Sequence, residues 1–164
     1  MTDFAGLIRA LVDGEVACIL VGGVAATIHG SARLTRDVDV VYSRKPENIR
    51  RVVAALAPFE PYLRGVPRGL PFRWDEATIV RGLNFPLTTT IGDIDLLGEI
   101  VGGGTFDDLR TNARPVRVFD RELPCLTLPV LIRVKRAAGR PRDLEVVAEL
   151  EAIAEEIDRT DGRG

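Results

Sequence analysis

The stretch CILVGGVAATIHGSARLTRDVDVVY limits the fold more than any other part of the chain. A continuous apolar run of strand length, VACILV over 16–21, is cut by Gly22-Gly23, and residues 24–29 then suit a short helix that Gly30 closes. DVDVVY over 37–42 follows as a second strand, with Asp37 and Asp39 alternating against Val38 and Val40. Strand, glycine pair, helix and strand in such close succession imply an α/β sheet core.

The remaining periodicities extend that core. Phe4, Leu7, Ile8 and Leu11 recur at helical spacing until Asp13-Gly14 ends the helix. KPENIRRVVAALAPF over 45–59 reads as a helix with proline near its start. Residues 60–73, rich in proline, glycine and arginine, read as a surface excursion. Strands are predicted over 78–81, 85–90 and 93–97, and a hairpin across Asp120-Arg121. Helices are predicted over 129–138 and 141–156, so the α/β (α+β) core has a helical C-terminal end. One domain over 1–157 and a frayed tail over 158–164 account for the 164 residues.

Two carboxylates on one strand face, with Cα atoms about 6 to 7 Å apart at a rise of ~3.3 Å per residue, repel each other unless a cation sits between them. For a bare D-x-D, an edge strand whose polar face meets solvent is the better explanation. The context favours a cation: the glycine pair lets the backbone approach a ligand, and the helix it opens presents unpaired N–H groups suited to phosphate. Neither G-x-G-x-x-G nor G-x-x-x-x-G-K-[ST] is present, which leaves the dinucleotide fold and the P-loop unsupported. Later, TTTIGDIDLLGEI carries Asp93 and Asp95 in the same alternation, and either can supply a third carboxylate to a two-metal site.

Composition excludes several alternatives. A formal charge of −2 argues against a generally basic nucleic-acid-binding surface and leaves room only for a local strip, for which Arg64, Arg68, Arg73 and Arg81 are candidates. The single histidine, His29, leaves no set for a histidine-based zinc site and reads as a polar residue at a helix end. Cys18 and Cys125 lie in apolar runs and read as buried thiols of a reducing compartment. The apolar stretch VACILVGGVAATI is too short and too glycine-rich to span a bilayer, and the first residues do not resemble a signal peptide, so a cytoplasmic location without membrane attachment is expected.

Taken together, Gly22-Gly23, Asp37-Val38-Asp39 and the later IDLL strand resemble the polymerase-beta-type nucleotidyltransferase superfamily, in particular its small bacterial abortive-infection toxin and minimal nucleotidyltransferase members. LIRVKRAAGRPRDLEVVAEL resembles the helical end of these proteins. The resemblance implies a mixed sheet flanked by helices. It also implies that Gly22 and Gly23 hold a nucleoside triphosphate such as ATP, and that Asp37 and Asp39 bind Mg²⁺, with Mn²⁺ as a substitute. The register G-x-I-D-L-L makes Asp95 the third acid, with Asp93 as a supporting neighbour. One departure is Val24, where many members carry a phosphate-contacting serine.

The basic residues near these motifs complete the expected site. Arg33 and Arg36 either meet phosphate oxygens or neutralise Asp37 and Asp39. Lys135, one of two lysines among twenty arginines, suits a compact ammonium on phosphate, with Arg140 in support and an Arg140–Asp143 ion pair at helical spacing. Trp74 and Phe72 read as packing residues rather than base-stacking ones. The expected reaction is Mg²⁺-dependent transfer of a nucleoside monophosphate to a hydroxyl of tRNA, a protein or a small molecule, in a toxin–antitoxin or phage-defence setting with a cognate antitoxin or toxin. A non-catalytic nucleotidyltransferase-like partner protein and a metal-dependent phosphohydrolase are the alternatives.

Overall fold

The computed structural model describes residues 1–162. Its helices are α1 (Phe4–Asp13), α2 (Gly22–Ile28), α3 (Pro46–Leu56), α4 (Glu76–Arg81), α5 (Phe106–Leu109), α6 (Leu128–Ala138) and α7 (Pro141–Asp161). Its strands are β1 (Cys18–Val21), β2 (Asp37–Tyr42), β3 (Tyr62–Leu63), β4 (Phe85–Thr89), β5 (Gly92–Leu97), β6 (Glu99–Ile100), β7 (Gly104–Thr105), β8 (Ala113–Val118) and β9 (Arg121–Leu126). Among the described residues, seven strands form one mixed sheet in the order β3-β4-β5-β2-β1-β9-β8, and β6 pairs with β7 as a separate ribbon. β2 runs parallel to β5, and β1 parallel to β9, while the other neighbours in the sheet are antiparallel. No helix among the described residues is long and apolar enough to cross a membrane.

The alternation read in DVDVVY holds. Val38, Val40, Ile94 and Leu96 are fully buried and join a core that includes Leu7, Ile8 and Leu11 of α1 and Val52 and Leu56 of α3. The aspartates between them on β2 and β5 are only partly buried. Cys18 and Cys125 are buried as expected, and burial pushes both thiols up to about 12.

Three expectations need correction. Residues 78–81 are helical, not extended: Asp75 accepts a hydrogen bond from the Thr78 N–H at 2.8 Å, Glu76 and Arg81 suit the two ends of α4, and this cap overrides the β-branched run. The hairpin turns at Phe119-Asp120, one residue earlier than expected, where both residues adopt positive φ (48° and 64°) and so join β8 to β9 with a two-residue loop. The last helix is longer than the expected 141–156, because α7 continues to Asp161; residues 163–164 of the expected tail lie outside the described residues.

Candidate functional site

Parallel pairing of β2 with β5 sets Asp37 opposite Asp93 and Asp39 opposite Asp95. Four carboxylates therefore share one face of two adjacent strands. Oxygens of Asp37, Asp39 and Asp95 lie within 4.8 Å of one another, which separates Asp95 from Asp93 as the third member of the cluster. Burial first, then the charges of Asp37 and Asp95, push the Asp39 carboxyl up to about 8. Burial and the charge of Asp95 raise Asp37 as well, against the pull of Arg64. Asp39 Oδ1 is buried without a hydrogen-bond partner among the described residues. Crowded carboxylate oxygens, with Asp39 Oδ1 and Asp95 Oδ1 both lacking a hydrogen-bond partner among the described residues, fit a hard divalent cation with oxygen ligands.

The glycine pair opens α2 beside this cluster. At Gly22, φ is +69° and a β-carbon would collide with the Asp39 carboxylate; at Gly23 it would collide with the Thr35 hydroxyl. The pair is thus required by the approach of α2 to β2 at Gly22 and to the loop before β2 at Gly23, independently of any ligand. The α2 start is two residues earlier than the expected 24–29, and Val24 is buried, so its side chain is committed to the core. His29, just past α2, sits with Nε2 2.7 Å from the Leu126 carbonyl oxygen.

A cleft of about 1030 Å³ lies over the acids and is lined also by Gly22, Gly23, Lys135 and Arg140. Lys135 on α6 and Arg140 at the start of α7 converge on Asp143, whose side chain is only 2% exposed. Arg140 Nε donates to Asp143 Oδ2 at 2.6 Å, and Lys135 Nζ lies 3.6 Å from Oδ1. Burial alone would raise the Asp143 carboxyl, but the Arg140 hydrogen bond and the charges of Lys135 and Arg140 outweigh it and hold it below the usual carboxylate range. The expected Arg140–Asp143 pair is present, and it includes Lys135 as well.

Arg33 and Arg36 line the same cleft, but neither pairs with Asp37 or Asp39. Arg33 Nη1 lies 3.1 Å from Glu145 Oε2 on α7, and the Arg36 carbonyl accepts from the Thr2 hydroxyl at 2.6 Å. The neutralising cation is Arg64, whose guanidinium lies 2.8 Å from Asp95, 3.4 Å from Asp93 and 3.5 Å from Asp37. Its place in the acid cluster removes Arg64 from the basic strip expected with Arg68, Arg73 and Arg81. Sequence reasoning missed this role because the excursion over 60–73 shows no period from which a side chain's direction can be read. Trp74 donates from Nε1 to the Val53 carbonyl at 2.9 Å, and Phe72 meets Tyr62 edge-on, both as packing residues.

No family model and no curated protein matches the chain. Solved structures do. LnuA, a lincosamide antibiotic adenylyltransferase in its lincomycin-bound crystal structure, matches with a TM-score of 0.60 at 14% identity, over 93% of this chain and 98% of that one. A Thermotoga maritima protein assigned as a nucleotidyltransferase matches with a TM-score of 0.52 at 13% identity, over 97% and 96% of the two chains. With its mixed sheet, paired acid strands and helical end, the chain shares the fold of these nucleotidyltransferase structures.

Proposed function

We propose that this protein is a metal-dependent nucleotidyltransferase that moves a nucleoside monophosphate from a nucleoside triphosphate to an acceptor hydroxyl. The observation that supports it best is the convergence of Asp37, Asp39 and Asp95 within 4.8 Å at a cleft whose other walls carry the glycine pair, Lys135 and Arg140. Mg²⁺ or Mn²⁺ held by these carboxylates, as a two-ion site, would neutralise charge on the attacking and leaving oxygens. The backbone at Gly22 and Gly23, with Lys135 and Arg140, holds the triphosphate, and Arg33 and Arg36 lie within the same cleft for further phosphate contacts. Asp95 orients the acceptor hydroxyl and takes its proton as the new oxygen–phosphorus bond forms and the bond to pyrophosphate breaks. Asp93 stands outside the converging set as a neighbour.

The cleft, at about 1030 Å³, reaches the upper end of the roughly 300–1,000 Å³ typical of small-molecule sites, which leaves room for an acceptor beside the nucleotide. LnuA is bound to lincomycin, so a small hydroxylated molecule is the acceptor to test first, ahead of tRNA or a protein. A toxin–antitoxin or phage-defence setting is proposed on the sequence resemblance alone.

Incubation with α-labelled nucleoside triphosphates, Mg²⁺ and each acceptor class tests the reading. Label is expected on one acceptor, and Asp39→Asn or Asp95→Asn should lower the transfer rate by roughly 10²-fold or more. Unchanged transfer in Asp39→Asn would overturn the assignment, and release of inorganic phosphate without transfer would make the protein a phosphohydrolase.

A further inference from the structure

Arg64 reaches the acid cluster from outside the two strands that carry it. Its backbone N–H donates to the Pro86 carbonyl at 2.9 Å, continuing the pairing of β3 with β4, and its Nη2 donates to the Leu87 carbonyl at 2.8 Å. From that anchorage the guanidinium lies 2.8 Å from Asp95 Oδ1, 3.4 Å from Asp93 Oδ2 and 3.5 Å from Asp37 Oδ2. The contact to Asp95 Oδ1 is an ion pair rather than a directed hydrogen bond, since that oxygen and Arg64 Nε lack hydrogen-bond partners among the described residues. One cation therefore touches three of four carboxylates, two of which belong to the converging metal set. Arginine suits the position because its planar fork can engage several carboxylates at once while keeping its charge.

We propose that Arg64 is an internal counter-cation of the acid cluster and that a divalent ion enters by displacing it. The proposal rests on the metal reading of Asp37, Asp39 and Asp95. A divalent cation among these oxygens would stand within a few ångströms of a guanidinium held on two of the same carboxylates, and like charges at that separation repel. Because its backbone bond to Pro86 holds the segment and its side chain is 31% exposed, Arg64 can release the acids by giving up the Nη2 bond to Leu87 while the backbone pairing of β3 with β4 stays in place. In the absence of metal it offsets the repulsion between β2 and β5; in its presence that role passes to the ion.

The test uses the full-length protein and Mn²⁺ alone, with free Mn²⁺ counted by electron paramagnetic resonance and no nucleotide or acceptor present. Arg64→Gln is expected to bind Mn²⁺ roughly tenfold more tightly than wild type, the exchange of an ion pair worth about one decade of affinity. It is also expected to melt lower in chelator and to gain more melting temperature from saturating Mn²⁺ than wild type does. Arg64→Lys keeps the charge without the fork, so its affinity should fall between the two, and it decides the sign if Arg64→Gln does not fold. Equal or weaker Mn²⁺ binding in the variant overturns displacement while leaving the nucleotidyltransferase reading standing. No Mn²⁺ binding in wild type or variant overturns both.

Discussion

Asp143 is the residue whose environment ties the helical end to the cleft most directly. Its carboxylate is almost wholly buried and holds Arg140 and Lys135, so the two cations of the cleft wall share one anion. Replacing Asp143 by Ala should cost about 1.5 to 3 kcal/mol of stability, because Lys135 and Arg140 then lose their charged partner while water takes its place at the exposed Arg140, and urea unfolding measures it. Since the folded carboxyl titrates below its ordinary 3.8, Asp143 supplies stability that is fully present above that value. The stability is lost as pH falls through the lower folded pKa. Asp143→Asn should therefore flatten the acid limb of a stability–pH curve, and it should also raise KM for the triphosphate more than it changes kcat. The sequence shows Arg140 and Asp143 as a pair at helical spacing, whereas the approach of Lys135 from a separate helix depends on how α6 and α7 pack.

Among the elements, α3 adds to its buried apolar face of Ile49, Val52 and Leu56 a buried amide that ties its start to the strand ends. Asn48, 2% exposed, accepts from the Ala17 N–H at 2.7 Å and donates to the carbonyls of Ala17 and Ser43 at 3.0 and 2.8 Å. It thereby closes the entry to β1 against the exit from β2. Asn48→Ala would strand the Ala17 N–H and the Ser43 carbonyl, while the Ala17 carbonyl keeps the Ser43 N–H at 3.0 Å, and a loss of about 2 to 3 kcal/mol in denaturant unfolding is expected from their desolvation. Elements with a strong period, such as α1, β2, β5 and α6, are legible because their buried faces repeat. α4 is not, since Thr78, Ile79 and Val80 favour a strand locally and the cap from Asp75 decides otherwise. The same contrast divides the site: strand alternation places Asp37 and Asp39 on one face but leaves Asp93 and Asp95 equivalent, and only the resemblance's G-x-I-D-L-L register favours Asp95. Arg64 comes from an irregular segment whose direction is set by two hydrogen bonds to β4.

Across the whole molecule, one contiguous core runs from Leu7 on α1 to Leu150 on α7, and the acid strands lie at the middle of the sheet that it covers. Glu149 on α7 accepts from the Ser31 hydroxyl at 2.5 Å and from the Ala32 N–H at 3.1 Å, which fixes the loop leading into β2. Placing both acid strands centrally has a consequence for the order in which the chain assembles. β2 and β5 are distant in sequence and must join in parallel with aspartate facing aspartate at two positions, so their closure combines a long chain excursion with like-charge repulsion. Refolding from urea should therefore run faster with Mn²⁺ than with chelator in a stopped-flow experiment. Asp93→Asn/Asp95→Asn should narrow that difference by making the two strands easier to join without an ion. Divalent cation would then act on this chain as an accelerant of its own folding.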